Sequence, residues 1–557
     1  MGKSTNNYEH IISDLKDWPI CQFSDNRDAF IKKLTEFVLN KYIQNETPIL
    51  DLLNKTIYLE KARVKNKPWK VDPSDEKEYW TALDQEVSNT KKSESPEIEQ
   101  AKILKRIITR YSEEIIGHFI PKTHLFARKF LTAFFKRLYN NGWGRGHKGI
   151  WGNKADLLSN MHLDGYTDEI RSLFQKGTVV IVPTHYSNLD SIMIAYSVDA
   201  KLGIPAFSYG AGLNLYDVEL LAYYMNRLGA YRVDRRKKNP IYLETLKSMA
   251  SLSLLEGLNH IFFPGGTRSR SGAIEDKLKL GLLNSVIDAQ RHSILNNLDK
   301  KIFVVPLAIG YHFVLEAGSL IDQHLRVTGK EKYSRTKKKK SIFKTIYNFL
   351  VTLRKKDSEV YLSFGRPLDV LGNNVDINGD SFDSRGSKVD IKTYFSSGDV
   401  LNEDIQRESI YTKLLANKIV QSFKSENIVL TSHLVAFTLF RLIQKENPNL
   451  DLYELLKLPT KKIAIPLKDL SVEASLIIDE LRKLKEKNLV KLAPIFNQSL
   501  EEIIKDGVKQ VGVYHFDKVV KLMKKEKIGT DDLKLLYYYH NKMIEYGLPL
   551  YIEKNVI

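Results

Sequence analysis

Short apolar runs alternate with helical segments through the middle of the chain. Six runs rich in β-branched or aromatic residues predict strands: Val179–Pro183, Ala206–Tyr209, Ala230–Val233, Ile261–Phe263, Phe303–Ile309 and Tyr361–Phe364. Four segments with apolar positions at three-to-four spacing predict helices: Leu189–Ala200, Asp217–Arg227, Ile241–Leu255 and Leu278–Arg291. Strands that alternate with helices are typical of an α/β domain, so we predict a mixed, largely parallel sheet flanked by helices.

The two ends of the chain have a different pattern, because helical periodicity dominates both. Apolar residues recur at helical spacing from Ala101 to about Asn141, and again in the Leu- and Lys-rich part after about Asp404. A charged, Ser-rich stretch over Asp84–Glu99 predicts a linker. The predicted organisation is an N-terminal region of unknown role over 1–100, a helical lead-in over 101–150, the α/β domain over 151–370, a polar linker over 371–403 and a helical C-terminal region over 404–557.

Composition narrows the class of protein. The 557 residues are 43% hydrophobic and 10% aromatic, which is an ordinary globular composition. Lysine and arginine outnumber aspartate and glutamate by 85 − 67 = 18, and such a charge attracts nucleic acid, anionic membranes or phosphate-bearing substrates. The sequence has no zinc finger, RNP-type aromatic motif or basic-zipper pattern, which argues against nucleic acid. The one cysteine, Cys21, cannot form an internal disulfide, so we expect a reducing, cytosolic setting.

One basic segment favours an anionic membrane surface as a partner. Lys330–Lys356 holds eleven lysines and arginines against one acid, and its second half carries an apolar stripe at helical spacing. Basic amphipathic helices bind the surface of anionic bilayers, although a solvated helix packed on the core is the alternative here.

The hydropathy of the chain predicts neither a secretory signal nor a membrane span. The first 25 residues are polar, and the longest charge-free run, Leu202–Tyr216, is shorter than the roughly 20 residues of a bilayer span. We therefore expect a peripheral protein on the cytoplasmic face of the cell membrane.

The first candidate for chemistry follows the first predicted strand. His185 and Asp190 stand five residues apart. If His185 lies on a loop and Asp190 in the first helical turn, the carboxylate can accept a hydrogen bond from one imidazole nitrogen and leave the other as a general base. The helix N-terminus favours the negative charge of Asp190. Spacing alone does not distinguish this pair from a chance pairing in a chain with 13 histidines.

A glycine-rich loop with two arginines follows the fourth predicted strand. We call Phe263–Gly272 the arginine loop; its sequence is Phe-Pro-Gly-Gly-Thr-Arg-Ser-Arg-Ser-Gly. Bare glycines let backbone N–H groups approach an anion, and the planar arginine fork matches phosphate oxygens. The spacing is not that of a Walker loop, and a solvated basic turn is the alternative.

A third basic cluster, Gly229–Arg236, ends the strand Ala230–Val233. Its alternative is a surface cluster with an internal Asp–Arg pair. The sequence has no Gly-x-Ser-x-Gly elbow for a serine nucleophile, and no His-Glu-x-x-His or Cys/His cluster for a metal.

In this order the blocks resemble those of the glycerolipid acyltransferase family. Its four blocks match, in order, His185 to Asp190, Gly229 to Arg235, Phe263 to Ser269, and Val305 with Pro306. Gly265 stands where the family usually has Glu. Asp234 stands where the large bacterial branch often has arginine and lysophosphatidate acyltransferases have aspartate. Further segments, among them Gly212–Leu215, Asn239–Tyr242 and Phe364–Pro367, look like the large bacterial membrane-associated glycerol-3-phosphate acyltransferases.

The resemblance implies a reaction and a set of site residues. It implies transfer of a fatty acyl group from acyl-CoA or acyl-acyl carrier protein to glycerol 3-phosphate, with His185 as general base, Asp190 as its orienting partner, and no metal or redox cofactor. The residues that it implies for phosphate binding are Arg235, Gly266, Thr267, Arg268, Ser269 and Lys279, the last by its match to a Lys-x-Gly element. Val305 and Pro306 are implied as an acyl-donor or structural motif. Two alternatives stay open: the 1-acyl derivative of glycerol 3-phosphate as acceptor, and a non-catalytic lipid-binding relative.

Overall fold

A seven-stranded sheet runs through the middle of the chain. The computed structural model describes residues 8–139, 161–213, 219–329, 359–397 and 400–549. The strands of the sheet are β1 (Met161–Gly165), β2 (Gly177–Pro183), β3 (Ser208–Gly212), β4 (Ala230–Val233), β5 (His260–Ile261), β6 (Lys301–Tyr311) and β7 (Val360–Phe364). Their order is β1-β7-β6-β2-β5-β3-β4. Strands β2 to β6 are parallel, whereas β7 is antiparallel to β6 and β1 is parallel to β7. The predicted mixed, largely parallel sheet is confirmed.

The strands are buried on both faces, as expected for parallel strands covered by helices. In β2, Val179 and Ile181 belong to one apolar core and Val180 and Val182 to the other. Helices inserted between the strands contribute to both cores. These helices are α7 (Thr167–Phe174), α8 (Asp190–Ala200), α9 (Glu219–Met225), α10 (Pro240–Leu255), α11 (Leu280–Leu295) and α12 (Ala317–Gly329).

The N-terminal part is a group of helices that covers one face of the sheet. The helices are α1 (Pro19–Asp25), α2 (Arg27–Gln44), α3 (Ile49–Asn66), α4 (Glu76–Thr90), α5 (Pro96–Ile115) and α6 (Pro121–Tyr139). Helices α2, α3 and α5 pack against α10 and share its apolar core. The linker predicted over Asp84–Glu99 is wrong for most of that stretch. Buried Leu83 and Val87 hold α4 in place up to Thr90, so the connection is only residues 91–95.

The C-terminal part is mostly helical and packs on both faces: α13 shares the apolar core of the N-terminal helices, whereas the later helices belong to the core on the other face. Its helices are α13 (Ile405–Glu426), α14 (Thr431–Glu446), α15 (Leu452–Leu455), α16 (Leu467–Glu486), α17 (Leu500–Gln510) and α18 (Leu533–His540), followed by a 3₁₀ turn over Asn541–Tyr546. Helices α14 and α18 pack on each other, and α18 also packs on α12. This arrangement places the last turns of the chain beside the loops at the sheet edge.

The remaining strands are short and lie outside the main sheet. They are β8 (Asn374–Val375), β9 (Ser381–Phe382), β10 (Lys388–Val389), β11 (Ser396–Ser397), β12 (Val400–Leu401), β13 (Ile428–Val429), β14 (Ile465–Pro466), β15 (Lys491–Leu492), β16 (Lys521–Met523) and β17 (Lys527–Gly529). The basic segment Lys330–Lys356 lies outside the described residues. Within the described part of the chain, no helix combines the length and apolarity that crossing a bilayer requires.

Candidate active site

Three loops meet at the carboxyl edge of the parallel strands. The loop after β2 carries His185, the loop after β4 carries Arg235, and the arginine loop follows β5. Because these strands are parallel, their following loops open on the same edge, which is where sites form in such sheets. The structure therefore brings together the three blocks that the sequence separates.

His185 and Asp190 form the hydrogen-bonded pair that the spacing predicts. His185 Nδ1 lies 2.8 Å from Asp190 Oδ2. Asp190 is the first residue of α8, and His185 lies on the loop before it. Since a carboxylate only accepts, Nδ1 carries the proton and Nε2 holds the lone pair. Nε2 makes no hydrogen bond to the described residues, and the His185 side chain is 18% exposed. This is the arrangement of a histidine that can take a proton.

The Asp190 carboxylate is fully buried and bound by four donors. Oδ2 accepts from the backbone N–H groups of Tyr186 and Ser187, at 2.6 and 2.9 Å, as well as from His185. The hydroxyl of Tyr311, at the end of β6, donates to Oδ1. Four donors compensate the burial of a charge and fix the plane of the carboxylate. Asp190 therefore holds the imidazole in one orientation.

The arginine loop packs directly against His185. The Phe263 ring stacks on the imidazole with 4.0 Å between ring centres. The backbone N–H of Ser269 donates to the carbonyl of His185 at 2.7 Å, and the Ser269 hydroxyl donates to the carbonyl of Ala273 at 2.8 Å. The backbone N–H of Gly266 donates to the carbonyl of Phe263 at 3.0 Å. Ser269 and Gly266 therefore hold the loop together, and their backbone N–H groups are already used within the protein.

Four cationic side chains line an open cleft next to the arginine loop. The cleft has a volume of about 580 Å³, and its lining includes Arg268, Arg270, Lys277 and Lys279 as well as Thr267 and the acidic residues Glu275, Asp276 and Glu545. Arg235 lies close by: partial burial, and then the positive charges of Arg268 and Arg270, lower the pKa of its guanidinium. Like charges held together in this way favour a bound anion with more than one negative charge, such as a phosphate.

Glu316 connects two of the loops. This residue, between β6 and α12, accepts from the Ser187 hydroxyl at 3.0 Å and from the backbone N–H of Asn188 at 3.1 Å. Its Oε1 also accepts from Arg268 Nη1 at 3.2 Å. Arg268 is thus held beside the loop of His185 by an ion pair that a phosphate can replace.

The third basic cluster holds three arginines, of which two bind within the protein. Arg232 donates to Asn226 Oδ1 at 2.8 Å. Arg236 binds the carboxylate of Asp234, at 2.7 Å, and also that of Asp72. The predicted internal Asp–Arg pair is therefore confirmed for Arg236. Arg235, by contrast, has no hydrogen bond or ion pair with any residue the structure describes, and it is exposed. Only Arg235 of this cluster is available to a ligand.

Val305 and Pro306 lie within the sheet and not in the cleft. They pair with Ile181 and Val182 of β2, and Val305 belongs to the buried core. Sequence reasoning gave no role to Tyr311, Glu316 or Phe263, although each contacts the loop of His185 or the pair itself. Tyr311 and Glu316 are more than 100 residues from that loop in sequence, so no local spacing indicates these contacts.

Comparison with known proteins agrees with this geometry. A family model described as Acyltransferase matches residues 166–310, which include the His185–Asp190 pair, Arg235 and the arginine loop. This part of the chain is similar to the proteins that the acyltransferase model describes.

Within that class, the chain is similar to bacterial proteins named glycerol-3-phosphate acyltransferase. The protein of Pseudoalteromonas translucida is 28% identical over 272 residues, which is 48% of this chain and 28% of the relative. That of Xylella fastidiosa (strain M23) is 25% identical over 233 residues, 42% of this chain and 24% of the relative. That of Pseudomonas fluorescens is 27% identical over 275 residues, 49% of this chain and 28% of the relative. This chain thus matches less than a third of the length of each of these relatives.

Proposed function

We propose that this chain transfers a fatty acyl group from an acyl thioester to a hydroxyl of glycerol 3-phosphate. The observation that carries the proposal is the oriented His185–Asp190 pair beside a cleft lined by cationic side chains. Of these, Arg268 pairs with Glu316, while Arg270 and Lys279 make no ion pair with a described residue. The pair supplies a base for an alcohol, and the cleft supplies a site for a phosphate on that alcohol. The name shared by the bacterial relatives supports glycerol 3-phosphate as the acceptor.

The reaction follows from the protonation state of the histidine. His185 Nε2 takes the proton of the acceptor hydroxyl as the oxygen attacks the thioester carbonyl, while Asp190 stabilises the imidazolium that forms. The new C–O bond forms and the C–S bond breaks. The thiolate that leaves then takes the proton from His185, so the histidine returns to its starting state. Proton transfer and direct attack complete the reaction, so we propose that it requires no metal or redox cofactor.

The acceptor phosphate is proposed to bind between the loops after β4 and β5. Arg235, Arg270 and Lys279 have no ion pair within the described ranges, so they are available to its oxygens without breaking an internal contact. Arg268 exchanges Glu316 for the phosphate, which keeps it beside the loop of His185. Since a 1-acyl derivative carries the same phosphate, lysophosphatidate is the alternative acceptor.

The donor is proposed to be acyl-CoA or acyl-acyl carrier protein. The net charge of +18 suits both the phosphates of coenzyme A and an acidic carrier protein. The two donors differ in size and in charge distribution, so a direct comparison of transfer rates separates them.

We propose that the protein works as a peripheral protein on the cytoplasmic leaflet. In addition to the basic segment Lys330–Lys356, helix α6 presents Leu125 and Phe126 at 43% and 57% exposure, next to the exposed cations Lys122 and Lys129. Exposed apolar side chains flanked by basic ones fit the interface of an anionic bilayer.

A transfer assay tests the proposed function. The purified chain is given glycerol 3-phosphate or its 1-acyl derivative, each with acyl-CoA and with acyl-acyl carrier protein, and the acylated product is quantified. We expect the highest kcat/KM with glycerol 3-phosphate. Preference for the 1-acyl acceptor would identify a lysophosphatidate acyltransferase. No transfer with any pair, by protein that binds vesicles, would identify a non-catalytic lipid-binding relative.

A further inference from the structure

Gly265 has no room for a side chain. A Cβ atom placed on Gly265 would lie 2.3 Å from Oε1 and 2.5 Å from Cδ of Glu275. The backbone at Gly265 is not in the left-handed region, so its conformation does not require glycine. The carboxyl group of Glu275 occupies the space where a side chain at 265 would begin, so any such side chain requires the end of Glu275 to move. In similar acyltransferase motifs this position carries Glu.

The Glu275 carboxyl group is buried without a partner. Neither of its oxygens contacts solvent or makes a hydrogen bond to a described residue. Burial, and then the charge of Asp190, raises the pKa of Glu275 to about 8. An unpartnered buried carboxyl group is costly and is uncommon away from functional sites. Its position next to the arginine loop and within electrostatic reach of Asp190 indicates that it serves the site.

A lysine from the C-terminal part completes this buried cluster. Lys542 Nζ lies over the ring of Tyr186, 2.8 Å from its centre, and the backbone N–H of Tyr186 donates to Asp190. Burial lowers the pKa of Lys542, while Asp190 and Glu275 oppose that shift. The neighbouring Asn541 donates to the carbonyl of Ser271 at 2.9 Å, which ties this turn to the arginine loop. Lys542 is thus a buried amino group within electrostatic reach of the two carboxyl groups, although burial opposes its positive charge.

We propose that Glu275 supplies, from further along the same loop, the carboxyl group that similar motifs carry at the position of Gly265. It is a positioning residue: it fills the space beneath the arginine loop, and through that loop it holds Phe263 and Arg268 against the loop of His185. This inference rests on the proposed acyl transfer for its kinetic test but not for its structural test.

Moving the carboxyl group from position 275 to position 265 tests the inference. The variants are Glu275→Ala, Gly265→Glu and the double variant Gly265→Glu with Glu275→Ala. We expect Glu275→Ala to lower kcat by about ten- to a hundredfold, the usual cost of losing a supporting residue, with a smaller change in the KM for the donor. Gly265→Glu alone places two carboxyl groups in one space and also lowers kcat. The double variant regains most of the lost activity. Asp517→Ala, at an exposed carboxylate that does not line the cleft, is the control.

Two readouts separate this inference from the proposed function. If Glu275→Ala has wild-type kcat, or the double variant is no more active than Glu275→Ala, the inference is wrong even though acyl transfer is real. If the wild type itself transfers no acyl group, the proposed function fails and thermal stability decides the inference. The double variant must then melt at a higher temperature than Gly265→Glu, because removing Glu275 relieves the collision. If the double variant melts at the same temperature as Gly265→Glu, or at a lower one, the inference is wrong.

Discussion

At the scale of single residues, the candidate site depends on the hydrogen bonds that hold the Asp190 carboxylate. Asp190 accepts four hydrogen bonds, from two backbone N–H groups, His185 and Tyr311. Each donor also comes from a different residue, so the carboxylate cannot rotate without losing several contacts at once. The folded chain therefore fixes the orientation of His185 before any substrate binds.

We expect His185→Ala to lower the rate of acyl transfer by about 10²- to 10⁴-fold, the usual contribution of a general base. Asp190→Asn is expected to lose nearly as much, because an amide nitrogen cannot accept a hydrogen bond from the imidazole. Steady-state kinetics measures both losses, and far-UV circular dichroism checks that the variants are folded. Folded His185→Ala with near-wild-type transfer would exclude the proposed mechanism.

The proposed binding of the acceptor phosphate is also tested at a single side chain. Arg268→Ala is expected to raise the KM for glycerol 3-phosphate by about tenfold or more, since a charge-assisted hydrogen bond contributes about 1.5–3 kcal/mol, with a smaller effect on the donor KM. Arg385→Ala, at an exposed arginine in the turn between β9 and β10, controls for the loss of one positive charge. An equal rise in both KM values would assign Arg268 to the phosphates of the donor or to the loop structure.

Glu275 also makes stability depend on pH. Its pKa is raised in the folded protein to about 8, above the unfolded value near 4.5. The folded state therefore binds more protons between these values, and its stability falls as pH rises from about 4.5 to 8. The loss is up to about 5 kcal/mol if Glu275 titrates alone, and Lys542 reduces it.

Glu275→Gln removes this pH dependence. Urea unfolding at pH 5 and pH 8.5 should therefore show a larger advantage of Glu275→Gln over wild type at the higher pH. Asp276→Asn, a change at an exposed carboxylate, should show no such difference. A constant difference between wild type and Glu275→Gln across this range would contradict the raised pKa.

The residues that the sequence could and could not identify differ in one physical respect. His185 and Asp190 are local to one strand–loop–helix unit, so their spacing, together with their place after a predicted strand, indicated the pair. Glu316 and Lys542 reach the site through the tertiary fold, and nothing in their local sequence indicates which loop they meet. Glu275 lies close in sequence, but only the three-dimensional position of Gly265 shows what it replaces.

At the scale of elements, the predicted bounds agree closely with the structure for one strand and one helix. Strand Ala230–Val233 has the predicted bounds, and the helix that became α10 differs from its prediction by one residue, since most of its residues are buried. Strand β3 begins and ends later than predicted, since hydrogen bonds to β4 and β5 set its limits and its glycines give no strand signal. Strand β1 was missed because its residues, Met161–Gly165, alternate weakly and pair with β7 from a distant part of the chain.

The arginine loop has two glycines with a left-handed backbone, Gly266 and Gly272, and Gly266 is the one that contacts a cation of the cleft. Gly266 has φ +73°, and a Cβ there would lie 2.9 Å from Cγ of Lys279. Gly257, outside the site, has φ +82° and open space around it. We expect Gly257→Ala to cost about 1–2 kcal/mol for the left-handed backbone alone. Gly266→Ala should cost more in urea unfolding and should also raise the acceptor KM, because it displaces Lys279. If the two variants lose equal free energy of unfolding and the acceptor KM is unchanged, the Lys279 side chain moves aside without cost.

At the scale of the whole molecule, the C-terminal part is built into the site. The hydroxyl of Tyr539 accepts from the backbone N–H of Val314 at 2.9 Å, and Asn541 binds the arginine loop. The sequence predicted a helical C-terminal region but gave no reason to place it here, because these contacts depend on how helices distant in sequence pack on the sheet. The sheet edge that carries the candidate site therefore also contacts the last described turns of the chain.

The charge and the exposed apolar residues of the whole molecule together predict how it binds a membrane. Electrostatic attraction between the net +18 charge and anionic lipids is screened within about 8 Å at physiological salt, whereas burial of apolar side chains is not. High salt should therefore release only part of the protein from anionic vesicles in a flotation assay. Changing Lys337–Lys340 to glutamine should weaken the salt-sensitive part of vesicle binding. The double change Leu125→Ser with Phe126→Ser should weaken the salt-resistant part. Phe516→Ser, at a side chain that is 92% exposed, is the control for α6. If the α6 variant and the control bind equally well in high salt, α6 does not contact the bilayer. If either membrane variant has a lower transfer rate on detergent-solubilised substrate, its changed residues belong to the active site instead.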